Sequence, residues 1–462
     1  MSYERILPAL SDAVDAGLPT AIADLSRLVR IPSVAWEGFD FAHVDASAAA
    51  VKALFDDTGV FELVEIRRAP QGDGGPLGQP AVLATRAARN GRPTVLLYAH
   101  HDVQPPGNDD DWDSLPYEPT VRGDRLYGRG SADDKAGVVS HVAAIRALVE
   151  TVGPDFNLGL VVFIEGEEEF GSRSFLNFLH ENKKDLQSDV IVVADSGNWD
   201  TETPALTVAL RGNVTFRLRV ATLAHASHSG MFGGAAPDAM LAAIRLLATL
   251  HDENGSVAVP GLVRHDAKTP PYDEAMLRNA AGLLEGVTPI GTGPILDRLW
   301  YQPALTITGI DAPSVQNASN TLLPSVTVRV SLRLAPGQDP EAALEAIESH
   351  VRAHAPFGAH VEITDVDTSS PFLVDTSGWA VAEAKAAMEH AWGRAAVEVG
   401  AGGSIPFIAD LVELFPAAQV LVTGVEDPDS RAHSPNESLH LGVFRRAILA
   451  EALLLAKLND RA

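Results

Sequence analysis

Apolar and polar positions along residues 1–204 follow two alternating patterns. Short apolar runs bounded by glycine and proline predict buried strands, whereas apolar positions three and four residues apart predict amphipathic helices. The predicted strands are Ala81–Thr85, Val95–Ala99, Leu158–Glu165 and Val190–Ala194, and the predicted helices are an N-terminal one ending near Leu28, Asp45–Phe55, Lys135–Val149 and Ser172–Leu179. This order predicts an α/β fold with a mixed, largely parallel sheet covered by helices.

The pattern changes after about residue 204. Leu206–Val220 alternates like a half-exposed antiparallel strand, and the segments that follow it are the predicted helix Ala236–Leu250, the strands Leu305–Gly309 and Val326–Leu334, and the helix Pro340–Ala353. The strand–helix order then resumes, through Gln419–Thr423 to Gly442–Leu458. We therefore predict one α/β catalytic domain, residues 1–204 and 376–462, interrupted by an inserted α+β domain, residues 205–375.

Composition narrows the classes of function. The 61 acidic and 35 basic residues give a formal charge of −26, which disfavours nucleic-acid and membrane-surface roles. The chain has no cysteine, so any metal ion must be held by imidazole and carboxylate groups. The longest apolar run, Leu158–Ile164, is too short to span a bilayer. The N-terminus shows no pattern of a signal peptide, so we expect a cytoplasmic protein.

Five short segments concentrate histidine, aspartate and glutamate, and most follow predicted strands, where ligands bind in open α/β sheets. In the first segment, His100 and Asp102 share a face of their strand, and a carboxylate beside an imidazole orients it for a metal ion. The others contain Asp133-Asp134, Glu165 to Glu169, Asp195 and His433. Each segment alone also fits an ordinary feature, such as a helix N-cap or a charged surface turn.

Taken in order, the five segments resemble the co-catalytic zinc aminoacylase/carboxypeptidase family. The carnosinase-like dipeptidase branch is the most similar one, on the segments His100–Pro105 (HHDVQP), Gly128–Lys135 (GRGSADDK), His228–Gly234 (HSGMFGG) and His433–Glu437 (HSPNE). The resemblance spans nearly the whole chain. It implies a zinc-peptidase-like catalytic domain with an inserted lid and dimerisation domain.

The resemblance also implies a role for each residue. One metal ion would be held by His100, Asp133 and Asp195, and a second by Asp133, Glu169 and His433, so that Asp133 bridges them. Asp102 would orient His100, and Glu168 would be the catalytic base. The choice of Glu168 among three successive glutamates depends on the register of Gly171-Ser172. Two divalent ions are expected, with zinc favoured and manganese or cobalt as alternatives.

The expected substrate is a small peptide with a free C-terminal carboxylate. The resemblance implies that Arg333 and Ser404 bind this carboxylate, and a guanidinium can do so bidentately. It also implies a homodimer in which His228 enters the active site of the partner subunit, where an imidazole can stabilise an oxyanion.

Two alternatives to a dipeptidase stay open on the sequence alone. An N-acyl-amino-acid hydrolase or desuccinylase of the same family would use the same metal ions. A metal-free binding or scaffold protein would lack some ligands, whereas every candidate ligand and the base are present. A serine hydrolase is disfavoured because the chain has no G-x-S-x-G segment, and a single-zinc peptidase because it has no H-E-x-x-H segment.

Overall fold

The structure is a computed structural model that describes residues 3–267, 269–402 and 406–461. By compactness the chain divides into two units. Unit 1 comprises Met1–Thr207, Val374–Val399 and Asp410–Ala462, and unit 2 comprises Val208–Leu373 and Gly400–Ala409. The roles predicted for the two domains, catalysis and formation of a lid and dimer interface, remain proposals.

The described residues form helices and strands with the following bounds. The α-helices are α1 (Tyr3–Val29), α2 (Ala42–Asp56), α3 (Lys135–Val152), α4 (Phe175–Glu181), α5 (Ser229–Phe232), α6 (Ala239–Ala248), α7 (Glu274–Ala281), α8 (Ile295–Trp300), α9 (Pro340–Ala353), α10 (Trp379–Trp392), α11 (Pro406–Leu414) and α12 (Leu441–Asp460). The strands are β1 (Leu63–Arg67), β2 (Ala81–Arg86), β3 (Thr94–His100), β4 (Thr120–Arg122), β5 (Arg125–Tyr127), β6 (Gly159–Glu165), β7 (Val190–Val193), β8 (Ala205–Leu210), β9 (Gly212–Ala221), β10 (Ser227–His228), β11 (Ala304–Asp311), β12 (Thr321–Leu322), β13 (Ser325–Leu334), β14 (His360–Ser369), β15 (Phe372–Leu373), β16 (Val397–Ala401), β17 (Gln419–Val422) and β18 (Ser438–His440).

The main sheet of unit 1 has the strand order β1-β2-β6-β3-β7-β17. The β6–β3, β3–β7 and β7–β17 pairs are parallel, and the β1–β2 and β2–β6 pairs are antiparallel. All seven residues of β6 are buried, as expected for a strand in the interior of a helix-covered sheet. The predicted α/β fold with a mixed sheet is confirmed.

Helices cover this sheet through apolar and aromatic contacts. Helices α1, α3 and α12 pack against one another, and α3 also contacts β3. The rings of Tyr98 on β3, Phe163 on β6 and Phe178 on α4 form a cluster, in which the Phe163 and Phe178 rings stack 4.6 Å apart. These contacts hold β3 and β6 firmly, and candidate metal ligands follow both strands.

Unit 2 contains a four-stranded antiparallel sheet in the order β11-β13-β9-β14. Alternate residues of β13, from Val326 to Leu334, are buried, and they belong to the same apolar core as buried residues of α6 and α9. Asp339 begins α9 by accepting a hydrogen bond from the N–H of Ala342. The period-2 pattern of β13 thus produces a sheet with one covered face.

One predicted element is wrong. The sequence predicts a single strand over Leu206–Val220, whereas the structure has β8 and β9 on either side of Arg211. Strand β8 pairs with β15, and β9 pairs with β13 and β14. The Arg211 side chain is buried and donates hydrogen bonds to backbone carbonyls of unit 2, so the chain changes sheets at this residue.

In the described part of the chain, no helix combines the length and the apolar composition needed to cross a bilayer.

Candidate metal centre

Four of the predicted site residues follow strands of the unit 1 sheet. His100 is the last residue of β3, and Asp195 lies two residues after β7. Glu168 and Glu169 follow β6 in a short 3-10 turn. Because β6, β3 and β7 are parallel neighbours, their carboxyl ends meet at one edge of the sheet, which is the ligand-binding edge of such folds.

Loops bring two further residues to the same edge. Asp133 lies just before α3, and His433 lies in the loop before β18. Two groups of side chains then have donor atoms within 4.8 Å of one another: His100, Glu168 and Asp195, and Asp133, Glu169 and His433. The structure therefore brings the five predicted metal ligands and the predicted base together in unit 1.

Asp133 connects the two groups. Its Oδ1 lies 3.1 Å from Nε2 of His100, and its Oδ2 lies 3.0 Å from Nε2 of His433. A carboxylate with one oxygen beside each imidazole has the placement that a bridging ligand needs. The six side chains form one continuous cluster.

His100 is held through its second ring nitrogen. Nδ1 lies 3.1 Å from the backbone carbonyl oxygen of Asp102 and 3.4 Å from that residue's Oδ1. The Asp102 carboxylate also accepts hydrogen bonds from the N–H groups of Glu168 and Glu169, at 3.2 and 3.1 Å. Asp102 thus orients the imidazole and fixes the turn that carries both glutamates; the second task is not apparent from the sequence.

The three successive glutamates have different surroundings. Glu167 is buried and accepts hydrogen bonds from the N–H groups of Gln79 and Ser174, at 3.0 and 2.6 Å. Glu169 accepts two hydrogen bonds from Gln104, from its N–H at 3.1 Å and its Nε2 at 2.6 Å. Glu168 reaches within 3.9 Å of Nε2 of His100. Of the three, Glu167 therefore stabilises the local fold through hydrogen bonds, and Glu168 and Glu169 belong to the cluster.

Glu437 fixes the loop that carries Asp133. Its fully buried carboxylate accepts hydrogen bonds from the N–H groups of Gly130, Ala132 and Asp133, at 3.1, 2.9 and 3.1 Å. It also accepts one from Nη1 of Arg129, at 2.6 Å. The sequence shows Glu437 at the end of the His433 segment, but nothing in that pattern reveals these long-range contacts.

Burial and neighbouring charges shift the pKa values of several groups in the cluster. Burial and the charge of Asp133 raise the pKa of Glu169 to about 7, and burial with the charge of Asp133 raises that of Asp195 to about 6. Burial raises the pKa of Glu168 well above its ordinary value. Hydrogen bonds to Asp133 and Glu169 raise the pKa of His433 to about 11.

The charges of this cluster also affect the carboxyl group of Glu426. Burial and the charges of Asp133 and Asp195 raise the pKa of Glu426 well above its ordinary value. Strand-like pairing of Glu426 with Gly197 places it beside the segment that carries Asp195. No sequence pattern marks Glu426, because it lies in a segment without other candidate ligands.

This donor set fits a pair of divalent cations. Burial and, to a smaller extent, the charge of Asp133 raise the pKa values of Glu169 and Asp195, and bound cations would favour the ionised carboxylates. Imidazole and carboxylate donors suit zinc, manganese and cobalt. The residues that would hold the ions are the predicted ones: His100, Asp133, Glu169, Asp195 and His433.

The residues predicted to bind substrate lie in unit 2 or outside the described residues. His228 is exposed at the end of β10, and its Nδ1 accepts a hydrogen bond from the N–H of Gly230 at 3.0 Å. Arg333 lies on β13, opposite Asn213 of β9. Burial lowers the pKa of Arg333. Ser404 lies outside the described residues, so its predicted role stays a prediction.

Comparison with known proteins identifies the family. The family model for peptidase family M20/M25/M40 matches residues 96–457, well over half of the chain. The chain belongs to this peptidase family. The matched residues include all of the clustered donors, and the predicted resemblance to co-catalytic zinc peptidases is confirmed at the level of the family.

Individual relatives of this M20-family peptidase are similar over most of its length. A cysteinylglycine-S-conjugate dipeptidase of Corynebacterium striatum is 38% identical over 369 residues, which cover 79% of this chain and 80% of the relative. The Cys-Gly metallodipeptidase dug1 of Schizosaccharomyces pombe is 27% identical over 96% of both chains. The structure of the dipeptidase Dug1p of Saccharomyces cerevisiae superposes with a TM-score of 0.79 at 24% identity, covering 100% of both chains, which supports the fold.

Proposed function

We propose that this protein hydrolyses the peptide bond of dipeptides or small peptides with a free C-terminal carboxylate, using two divalent metal ions. The observation that carries the proposal is the position of Asp133, with one oxygen beside each of two imidazoles and three further carboxylates close by. The two relatives compared above are dipeptidases, which favours this substrate class over N-acyl amino acids.

In this proposal, one ion is held by His100, Asp133 and Asp195, and the other by Asp133, Glu169 and His433. Zinc is the favoured metal, with manganese or cobalt as alternatives. When bound, such ions polarise the scissile carbonyl and make a hydroxide available near neutral pH. The hydrogen bonds from Gln104 to Glu169 and from backbone N–H groups to Glu437 keep the ligand loops in place.

Glu168 acts as the base. Its side chain is 20% exposed, so substrate and water can reach it, whereas Glu167 is occupied by Gln79 and Ser174. The carboxylate of Glu168 can take a proton from the attacking water and then release it to the leaving amine. Asp102 supports both steps by holding the N–H of Glu168 and the imidazole of His100.

His228 is proposed to stabilise the oxyanion in the partner subunit of a homodimer. Because its Nδ1 accepts a hydrogen bond from Gly230, the neutral ring carries its proton on Nε2, and the exposed Nε2–H can donate. Arg333 and Ser404 are proposed to bind the C-terminal carboxylate of the substrate. We also propose a cytoplasmic location.

A substrate panel tests the proposed function. Purified protein is stripped with a chelator, loaded with zinc, manganese or cobalt, and assayed on Cys-Gly, β-Ala-His, Ala-Ala and the matched N-acetyl amino acids. We expect at least one dipeptide to be cleaved with a kcat/KM more than about tenfold above any N-acetyl amino acid. Higher turnover of the N-acetyl compounds would assign the amidohydrolase function instead. Activity that is unchanged by the chelator would contradict a metal-dependent reaction of either kind.

A further inference from the structure

Unit 2 contains a cavity of about 290 Å³ whose lining belongs to that unit alone. Its walls come from α7, α8, the loop around Ser256 and the first residues of β11. Most of the lining is apolar, for example Leu277 on α7, Ile295 on α8 and Leu305 on β11. The volume is close to the lower limit for small-molecule sites, about 300 Å³. A cavity of this kind suits the apolar body of a small ligand.

Arg211 places a positive charge in the wall of this cavity. The residue is only 8% exposed. Its hydrogen bonds go to the backbone carbonyls of Gly402, Arg298 and Gln302, at 3.3, 3.5 and 3.4 Å. These distances exceed the usual range of about 2.7–3.2 Å, so the bonds are weak. Among the described residues, no carboxylate forms an ion pair with Arg211.

Burial of this guanidinium is unfavourable without an anion. Burial and the nearby charge of Arg333 lower the pKa of Arg211 to about 10, yet the group stays protonated at neutral pH. A buried charge costs free energy unless an opposite charge and good hydrogen bonds compensate for it. A ligand that brings one negative charge to Arg211 would provide both.

Ser256 supplies a second polar group to the same cavity. It is 8% exposed, and its hydroxyl has no hydrogen-bond partner within the described ranges of the chain. A buried hydroxyl without a partner is uncommon, because leaving it unpaired is costly. The lining thus combines the guanidinium of Arg211 with mostly apolar side chains, and it also includes His251, Arg298 and Gln302.

We propose that this cavity binds a small monocarboxylate with an apolar body. The carboxylate would accept hydrogen bonds from Arg211, a geometry that guanidinium favours, and the apolar body would lie against α7, α8 and β11. Arg298 also lines the cavity, but its Nη1 already donates to the backbone carbonyls of Ile290 and Gly291, at 2.8 and 3.4 Å, so Arg211 is the guanidinium whose hydrogen bonds are all long. Arg333, which is proposed above to bind the substrate's carboxylate, is not part of the lining, and the site needs no metal ion.

The first test measures binding of 3-phenylpropionate by calorimetry to the full chain stripped of metal. Removing the metal excludes carboxylate binding at the metal centre. We expect saturable binding with a Kd on the order of 0.1–1 mM, typical of a ligand of this size. The neutral analogue 3-phenylpropanamide has the same shape and should bind at least about tenfold more weakly, because a charge-assisted hydrogen bond is lost.

Two variants then test the location. Arg211→Met keeps the length of the side chain but removes its charge, and Ala304→Phe fills the cavity from β11 without changing the arginine. Each should raise the Kd of 3-phenylpropionate at least about tenfold. Arg217→Met is the control, since Arg217 lies on β9, is 59% exposed and pairs with Asp365. Its Kd should equal that of the wild type.

Three results would overturn the proposal: absence of saturable binding to the stripped wild-type protein, equal affinity for the acid and the amide, or an unchanged Kd in the variants. If Arg211→Met does not fold, because it loses three carbonyl contacts, Ala304→Phe and the acid–amide comparison still decide the question. Failure of the dipeptidase assay would leave this test untouched, because it uses neither the metal ions nor turnover.

Discussion

The two halves of the candidate metal centre are built differently. His100 ends a buried strand, its side chain is 1% exposed, and both of its ring nitrogens have partners within unit 1. The His433 side chain is 58% exposed, and its loop has left-handed backbone at Arg431, His433 and Asn436. The first half thus belongs to the core of the sheet, and the second half belongs to a surface loop.

This difference has consequences for metal binding. A ligand fixed by a strand and by Asp102 loses little freedom when it binds a cation, whereas a loop ligand must be ordered. We therefore expect the ion at His100 to bind more tightly and the ion at His433 to exchange first. Glu437 should reduce this difference in affinity between the two ions, because it fixes the loop of Asp133, and Asp133 is the predicted ligand of both ions.

The largest expected effect concerns the base. Glu168→Gln should lower turnover by about 10³–10⁴-fold while both metal ions are retained, because only proton transfer is removed. Glu169→Gln should instead weaken metal binding on the His433 side. Glu167→Gln is the matched control, and its folded fraction should keep near-normal turnover. Steady-state kinetics with elemental analysis separates these outcomes; loss of metal in Glu168→Gln would show that Glu168 is a ligand.

The next largest effect is on metal affinity, and it compares His100 with His433 directly. His100→Ala should raise the Kd of the tightly bound ion more than about 100-fold, since a ligand matters more than its supporting partners. His433→Ala should release one ion and leave the other bound. Competition with a chromophoric chelator measures both constants. Retention of both ions by His100→Ala together with loss of both by His433→Ala would reverse the assignment of the tight site.

A third imidazole, His228, belongs to unit 2 and is proposed to act in the partner subunit. His228→Ala and Glu168→Gln proteins should each be nearly inactive. An equal mixture that exchanges subunits should recover about a quarter of wild-type activity, because half of the dimers are mixed and each has one complete site. A mixture that stays inactive, with mixed dimers verified by mass spectrometry, argues for a histidine that acts within its own chain.

The smallest expected effect is the pH dependence of the free energy of unfolding that arises from His101, which directly follows His100 of β3. His101 is fully buried, its Nε2 donates to the carbonyl of Pro80 at 2.8 Å, and burial lowers its pKa to about 4. The unfolded histidine has a pKa of about 6.5, so between these values the unfolded chain binds an extra proton. Stability is therefore full above about pH 6.5 and falls as the pH drops towards 4.

His101→Gln tests this pH dependence, because its amide can still donate to Pro80. Between pH 7 and pH 4 the unfolding free energy of the metal-free wild type should fall by about 3 kcal/mol more than that of the variant. Denaturant titrations at the two pH values measure the difference. Equal losses in both proteins would mean that His101 does not titrate on unfolding.

Much of this centre could be predicted because its residues follow strong local patterns. The apolar runs that became β3, β6 and β7 are unambiguous, and parallel neighbours bring their carboxyl ends together. The family resemblance then supplied a predicted role for each candidate ligand, and these roles stay predictions. Geometry also distinguishes Glu167 from its two neighbours, which the sequence could do only by register.

Other features depend on contacts between distant segments and leave no local pattern. Glu437 reaches the loop of Asp133 across most of the chain, and Glu426 joins the charged cluster from a segment without other ligands. The break between β8 and β9 lies at Arg211, which is buried among carbonyls of unit 2, although the sequence alternates without interruption. Periodicity describes burial along one element, and it cannot show which element packs against which.

The number of divalent ions bound per chain tests the central claim most directly. Elemental analysis of protein stripped with a chelator, reloaded with zinc and desalted should give two ions in the wild type and fewer than one in Asp133→Ala. The control Asp124→Ala, at an exposed residue that pairs with His440, should keep two. One ion or none in the wild type, or two ions in Asp133→Ala, would contradict a centre bridged by Asp133.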